Sequence, residues 1–109
     1  MSIPWNNILS DITQEIIKNL EWTAEFIRNE AVKVVRVDTG RLRASITINK
    51  LNDFNIEVGS NVEYASEIEE GTSKHPAYPY LRPALEKGKS EFKRKIDMSI
   101  DKIMRKYFD

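Results

Sequence analysis

The chain has 109 residues, a formal net charge of zero, 40% hydrophobic and 31% charged residues, and no cysteine. This length and composition are typical of one soluble globular domain spanning residues 1–109, and they argue against intrinsic disorder. Without cysteine the chain has no disulfide, thiolate nucleophile or cysteine-bound metal, and no apolar run approaches the roughly 20 residues that a membrane span requires.

The first predicted element is a long amphipathic helix from about Pro4 to Arg36. Neither proline nor glycine interrupts the chain between Trp5 and Val37. Apolar residues recur at spacings of three or four, which is typical of a buried helix face: Ile8, Ile12, Ile16, Leu20, Ala24, Ile27, Ala31 and Val35. Trp5 and further aromatic residues widen this surface beyond what a small sheet covers. Either the last helix of the chain or a partner should cover the remainder.

A turn should follow this helix, because Asp38 and Thr39 form local side-chain hydrogen bonds and Gly40 tolerates positive φ. Apolar and polar residues then alternate from Ser45 to Lys50 and again from Phe54 to Val58. This alternation predicts an antiparallel hairpin with one buried face.

Val62 to Ala65 is predicted to be a short third strand or the start of a helical turn that continues through Glu69. The next segment, GTSKHPAYPYLRPAL at residues 71–85, holds three of the four prolines and the only histidine. Proline fixes φ and lacks a backbone donor, so we expect a stiff extended loop rather than a helix or a central strand. The predicted core anchors of this loop are Tyr78, Tyr80 and Leu81.

A second long helix is predicted from Pro83 to about Tyr107. Its apolar stripe consists of Leu85, Phe92, Ile96, Ile100, Ile103 and Tyr107. The expected fold is therefore α+β: a long N-terminal helix, an antiparallel sheet of three or four strands, a proline-rich loop, and a long C-terminal helix packed on the same sheet face.

The charges are segregated along the chain. Residues 51–73 hold six acids and no Lys or Arg, whereas residues 81–109 hold nine bases and five acids. Two unrelated solvated faces would explain this, and so would complementarity between one copy and the next, which steers association. Nucleic-acid binders usually carry net positive charge, so the overall balance disfavours that class.

The sequence offers little for catalysis. Glu67, Glu69, Glu70 and His75 are the best candidates for a metal site, but such sites usually recruit more than one histidine or acids from several elements. Nucleophile and nucleotide-binding motifs are absent from the sequence. We therefore predict no catalytic residue, no bound metal and no cofactor.

Arginine is suited to bidentate pairing with carboxylates. Arg41 and Arg43 are therefore expected to pair with Glu69 or Glu70 and to tie two turns together. The alternative is that they are exposed and contribute little, since surface pairs are typically worth about 0–1 kcal/mol.

Two blocks, VDTGRLRASI at residues 37–46 and GSNVEYASEIEEGTSKHPAYPYLRPALEK at residues 59–87, resemble the head–tail joining or tail-completion (neck) family of long-tailed phages and their prophages. In order and spacing, the positions that carry the resemblance are Asp38, Thr39, Gly40, Arg41, Leu42, Arg43, Tyr64, Ala65, Glu69, Gly71, Thr72, Pro79, Tyr80, Leu81, Arg82, Pro83, Ala84 and Leu85. Tyr80 stands where phenylalanine is common in that family, and Glu70 where an aromatic or neutral residue is common.

The resemblance implies a non-catalytic structural protein of the virion neck or tail, assembled in the cytoplasm of a host bacterium. Its expected partners are other neck and tail proteins on the connector or tail-tube side, and further copies of itself in a ring; neither nucleic acid nor membrane is expected. Lys74 and His75 are the candidate partner contacts of the loop.

Two other functions remain open from the residues. One is a small nucleic-acid-binding or regulatory domain that uses the basic helix around residues 93–106. The other is a metal-dependent hydrolase that uses Glu69 and His75.

Overall fold

The computed structural model describes residues 2–35 and 40–109 of the chain. Their elements in chain order are α1 (Trp5–Val34), α2 (Gly40–Ser45), β1 (Thr47–Asn52), β2 (Asn55–Gly59), α3 (Ala65–Glu70) and α4 (Leu81–Phe108). The α+β class and the two long terminal helices are as predicted. Arg36 and the predicted turn residues Asp38 and Thr39 lie outside the described residues.

The two long helices pack side by side and run antiparallel. The rings of Trp5 and Phe108 are 6.3 Å apart at one end of the pair, and Lys87 lies 3.3 Å from Glu30 near the other end. The α1 stripe is confirmed, because all eight of its residues are buried or half-buried. A 3.6-residue period is a local property, so the sequence alone locates this face.

The predicted stripe of α4 is confirmed in part, because Phe92, Ile96, Ile103 and Tyr107 are buried or half-buried. Ala84 and Gly88 are buried, whereas Leu85 and Ile100 are 47% and 39% exposed. A Cβ atom at Gly88 would lie 2.7 Å from Cδ1 of Ile27. Small residues therefore set the line of contact, because they allow α4 to approach α1 closely.

The sheet is an antiparallel pair in which Ile48 faces Val58 and Lys50 faces Ile56. Their inner side lies on α1, where Ile48 and Ile56 line a cleft with Ala24. Phe54 was predicted to belong to the inner face, but it lies in the turn and is 59% exposed. Its N–H donates to the side chain of Asn52, which fixes the turn locally.

Within residues 2–35 and 40–109 the sheet has two strands rather than the predicted three or four. After β2 the hydroxyl of Ser60 accepts the N–H of Val62, and the N–H of Ala65 bonds the carbonyl of Val62. These turn bonds lead into α3, so the helical alternative for this segment is the one observed.

A short helix also replaces the start of the predicted first strand. Leu42 is fully buried in α2, and the hydroxyl of Ser45 donates to its carbonyl at 2.7 Å. The N–H of Ile46 bonds the carbonyl of Arg43. Because of these local bonds, the extended conformation of β1 begins only at Thr47.

The molecule is elongated. Its extents are 67 × 22 × 21 Å and its radius of gyration is 18.2 Å, whereas a compact domain of this length has about 13 Å. Its main core lies at the sheet end of the helix pair and is formed by Ala31, Val35, Leu42, Ile46, Ala65, Tyr80 and Ala84. The α4 helix was predicted to pack on the same sheet face as α1, but it packs mainly on α1. It approaches the sheet with its first turns, where Leu81 and Leu85 line a groove with Val58.

Candidate functional site

The segment between α3 and α4, residues 71–80, contains neither helix nor strand. Its backbone is nevertheless held by internal bonds. The N–H of Thr72 donates to the carbonyl of His75 at 3.0 Å, and the Thr72 hydroxyl accepts the N–H groups of Lys74 and His75. The N–H of Tyr78 donates to the carbonyl of Ile68 at 2.8 Å. The loop is thus folded back on α3, although residues 72–79 are exposed to solvent.

Gly71 is the point at which the chain leaves α3. Its φ is +79°, and a Cβ atom there would lie 2.7 Å from the backbone nitrogen of Ala77. Only glycine combines this φ with so close an approach of two backbone segments. The Gly–Thr pair of the sequence motif is therefore the structural start of the loop.

Glu69 holds the other end of the loop. Its carboxylate accepts the N–H groups of Tyr80 at 3.0 Å, Leu81 at 2.8 Å and Arg82 at 3.0 Å. These are among the N–H groups that a helix N-terminus leaves unpaired, and the negative charge also suits the positive end of the α4 dipole. Glu69 thus caps a helix that begins more than ten residues further along the chain.

Tyr80 is the anchor of the loop, since it is 1% exposed and belongs to the main core. Burial, and secondarily the negative charge of Glu69, raises the pKa of its phenol. Leu81 is half-buried against the same core. The predicted anchoring by Tyr80 and Leu81 is therefore confirmed, whereas Tyr78 is 42% exposed.

The predicted partner contacts of the loop lie on its outside. Lys74 and His75 are exposed, as are Thr72 and Pro79. Nδ1 of His75 lies 3.2 Å from the carbonyl oxygen of Pro76, so this ring nitrogen donates within the loop. Glu69 and His75 therefore have separate local roles: Glu69 binds backbone N–H groups, and the His75 ring binds its own loop.

The expected pairing of Arg41 with Glu69 or Glu70 is replaced by another partner. Arg41 forms two bonds of 3.0 and 3.1 Å with Glu63 and lies over the ring of Tyr64 at 5.7 Å. The Glu63 bonds are the main reason that the pKa of Arg41 is raised. Both side chains of this pair are mostly exposed. The predicted partner of Arg41 is therefore wrong, and its exposed pair with Glu63 fits the alternative of a surface contact worth little.

Arg43 has a different role. Its guanidinium donates to the carbonyl of Val35 at 3.1 Å, and it therefore links α2 to the end of α1. Gly40 is the first described residue of α2. The motif arginines thus connect α2 to the end of α1 and to the segment before α3, while Glu69 and Gly71 define the loop that follows α3.

Much of the positive charge of α4 is paired within the molecule. The paired bases are Lys87 with Glu30, Lys89 with Glu86, Arg94 with Glu91, Arg105 with Asp101 and Lys106 with Asp11. Lys95 lies 4.1 Å from the ring centre of Trp22. This pairing leaves less free positive charge for phosphate contacts than the sequence count indicates.

In residues 2–35 and 40–109, no helix is both long enough and apolar enough to cross a membrane.

Residues 6–71, more than half of the chain, match the model of a family described as "Bacteriophage HK97-gp10, putative tail-component". The chain belongs to this HK97-gp10-like family of phage tail components. The match extends from α1 to Gly71 and ends where the exposed loop begins. Comparisons with curated proteins and with solved structures found no match.

The helix cap at Glu69 was missed in the sequence. A signal for it exists: the residues before α4, Tyr78-Pro79-Tyr80, include none of the usual capping types Ser, Thr, Asp or Asn. The first N–H groups of such a helix are open to an acceptor elsewhere in the chain or to water. The choice among Glu67, Glu69 and Glu70 could not be made without the path of the loop.

Proposed function

We propose that this protein acts in the phage neck, at the junction between the head connector and the tail tube, and completes the tail by docking on neighbouring neck and tail proteins. Membership of a tail-component family supports the broader class, a component of the phage tail. The single observation that carries the finer proposal is the exposed loop at residues 72–79, whose two ends are fixed by Gly71 and Glu69.

The loop suits docking because its backbone bonds form before a partner arrives. Ordering a loop on binding costs free energy, and a loop that is already ordered avoids much of this cost. Lys74 and His75 project from it, and Glu67 and Glu70 lie exposed on the adjoining helix α3. A partner surface with acidic and hydrogen-bonding groups would complement the loop.

Ring formation is the second part of the proposal. A closed ring uses a head-to-tail interface in which two different surfaces of one copy meet. The acid-rich segment 51–73 and the base-rich segment 81–109 supply two such surfaces, and the elongated shape separates parts of them along the molecule. No catalytic step is needed for this role.

The test is deletion of the gene from the phage or prophage that encodes this chain. Heads and tails should then accumulate unjoined in electron micrographs, and adding the purified protein should restore joining. The double variant Lys74→Ala/His75→Ala should fold normally but restore less joining. Lys93→Ala, at an exposed position on α4, is the matched control.

Two results would overturn the proposal. One is a normal yield of joined, infectious particles from the deletion strain. The other is the absence of the protein from purified particles whose assembly depends on its gene. If the Lys74→Ala/His75→Ala protein restores joining as fully as the natural protein, the neck function stands and the docking role of Lys74 and His75 is wrong.

A further inference from the structure

The turn of the β-hairpin carries an exposed apolar pair. Leu51 and Phe54 are 53% and 59% exposed, and Asp53 lies between them in the sequence. We call these three residues the hairpin knob. Asp53 lies 3.3 Å from Lys50, but both groups are exposed and Lys50 has a shorter contact with Glu21, at 2.6 Å. Such surface pairs are weak, so the Asp53 carboxylate can change partner at little cost.

An open apolar groove of about 330 Å³ lies where α1, β2 and the start of α4 meet. We call it the α4 groove; its lining residues are Ile27, Ile56, Val58, Leu81, Arg82 and Leu85. Leu85 is 47% exposed in it. The N–H of Arg82 bonds Glu69, but its guanidinium forms no hydrogen bond or ion pair with any part of the chain that the structure describes.

The knob and the groove are complementary. The knob has two large apolar side chains beside a carboxylate, and the groove has an apolar lining beside the guanidinium of Arg82. The knob belongs to the acid-rich segment 51–73 and the groove opens on the base-rich helix α4. Burial of Phe54 and Leu51 would remove exposed apolar surface from water, and Arg82 would gain a carboxylate suited to its planar donors.

We propose that the hairpin knob of one copy inserts into the α4 groove of the next copy, with Asp53 paired to Arg82. This inference rests on the ring part of the proposed function and names its interface. Both surfaces are open on the same copy, so the knob does not occupy its own groove. The two surfaces differ, so the contact is head-to-tail, and a pair of copies leaves one knob and one groove available for further copies.

Cysteine trapping tests this contact, because the natural chain has no cysteine to interfere. Phe54→Cys and Leu85→Cys proteins are purified separately with their thiols kept reduced, and are then mixed without reductant and oxidised mildly. Neighbouring thiols experience a high effective concentration, so mixed disulfides should form at least about tenfold faster than random collisions allow. The control is Phe54→Cys with Met98→Cys, because Met98 is 60% exposed on α4 outside the groove.

Charge reversal in the same cysteine variants provides a second test of the contact. Asp53→Arg or Arg82→Asp alone should slow trapping, and the two changes on opposite partners should restore it. All four positions are exposed, and circular dichroism checks that each variant is folded. Equal rates for the Leu85 and Met98 partners would overturn the interface. So would faster trapping of Phe54→Cys with itself, since that indicates a symmetric contact.

The joining of heads to tails in the deletion strain distinguishes the proposed interface from the proposed neck function. If trapping shows no preference while the deletion strain still fails to join heads to tails, this interface is wrong and the neck function stands. If trapping is selective while the deletion strain joins normally, the interface stands and the neck function is wrong.

Discussion

The two ends of the α1–α4 helix pair are built differently. At the end that carries the sheet, α2, the hairpin and the loop cover the helices, and Leu42, Ile46 and Tyr80 are at most 1% exposed. At the other end the helices extend beyond the sheet. Ile8 and Ile103 are buried there, but polar side chains also join the helices, with Asn19 bonded to Ser99 at 3.1 Å and Tyr107 to Asp11 at 2.7 Å.

The difference indicates that the two ends contribute unequally to the stability of the fold. Buried apolar area stabilises the fold by roughly 25 cal/mol per Å², so the sheet end should unfold as one cooperative unit. At the free end Trp5, Leu9 and Phe108 remain about half exposed or more, and such regions open at lower free-energy cost. Changes at the sheet end should therefore lower global stability, and changes at the free end should act locally.

The largest expected effect is that of Gly88→Ala. Alanine normally stabilises a helix relative to glycine by up to about 1 kcal/mol, but here the added methyl group would overlap Ile27. Overpacking of this kind costs about 1–3 kcal/mol, so we expect a lower free energy of unfolding in urea. Gly59→Ala is the control, because its Cβ would meet nothing within 4 Å. A stabilised Gly88→Ala protein would show that the helices do not approach this closely.

Gly71→Ala should come next. The backbone angles of Gly71, φ +79° and ψ 174°, are essentially restricted to glycine and cost another residue about 1–3 kcal/mol, and the contact with Ala77 adds to this. We expect a lower unfolding midpoint and increased proteolysis within residues 72–79. Exposed Ser73→Ala is the neighbouring control. Unchanged proteolysis of Gly71→Ala would contradict the proposed ordering of the loop.

Glu69→Ala tests the cap that joins the loop to α4. Losing a helix cap typically costs about 1 kcal/mol, and here three N–H groups lose their acceptor. Urea unfolding should show this loss, and amide exchange should increase in the first turn of α4. Glu70→Ala, an exposed acid on the same helix, should leave both measurements unchanged. Equal effects of the two changes would indicate that only the charge of α3 matters.

The sequence predicted the parts of the sheet end that depend on local periodicity. The stripe of α1 and the alternation of Ile48, Ile56 and Val58 follow from side-chain order alone. The burial of Leu85 and Ile100 was predicted wrongly, because the line of contact between α4 and α1 depends on how closely the two helices approach at Gly88. Likewise, Glu69 acts on groups 11–13 residues away, and which acid reaches them depends on loop closure.

At the free end, Tyr107→Phe should have the smallest effect. Hydrogen bonds from Tyr107 and then Lys106 lower the pKa of Asp11 below its ordinary value of 3.8, and the same bond raises the pKa of Tyr107 above 10.0. The carboxylate therefore contributes stability above pH 3.8 that is lost as the pH falls through its folded pKa. The phenol of Tyr107 contributes stability below pH 10.0 that is lost as the pH rises through its raised pKa in the folded protein.

Tyr107→Phe should accordingly increase amide exchange only in the free-end turns, and its difference from the natural protein should vanish in acid. Tyr64→Phe, which removes a hydroxyl at the sheet end, is the matched control. A global loss of protection from Tyr107→Phe would mean that the two ends unfold together and that the contrast between them is not one of stability. A local loss that disappears as the pH falls through the lowered pKa of Asp11 would place the Asp11 contact outside the cooperative core, because the contribution of the charged carboxylate is lost when it is protonated.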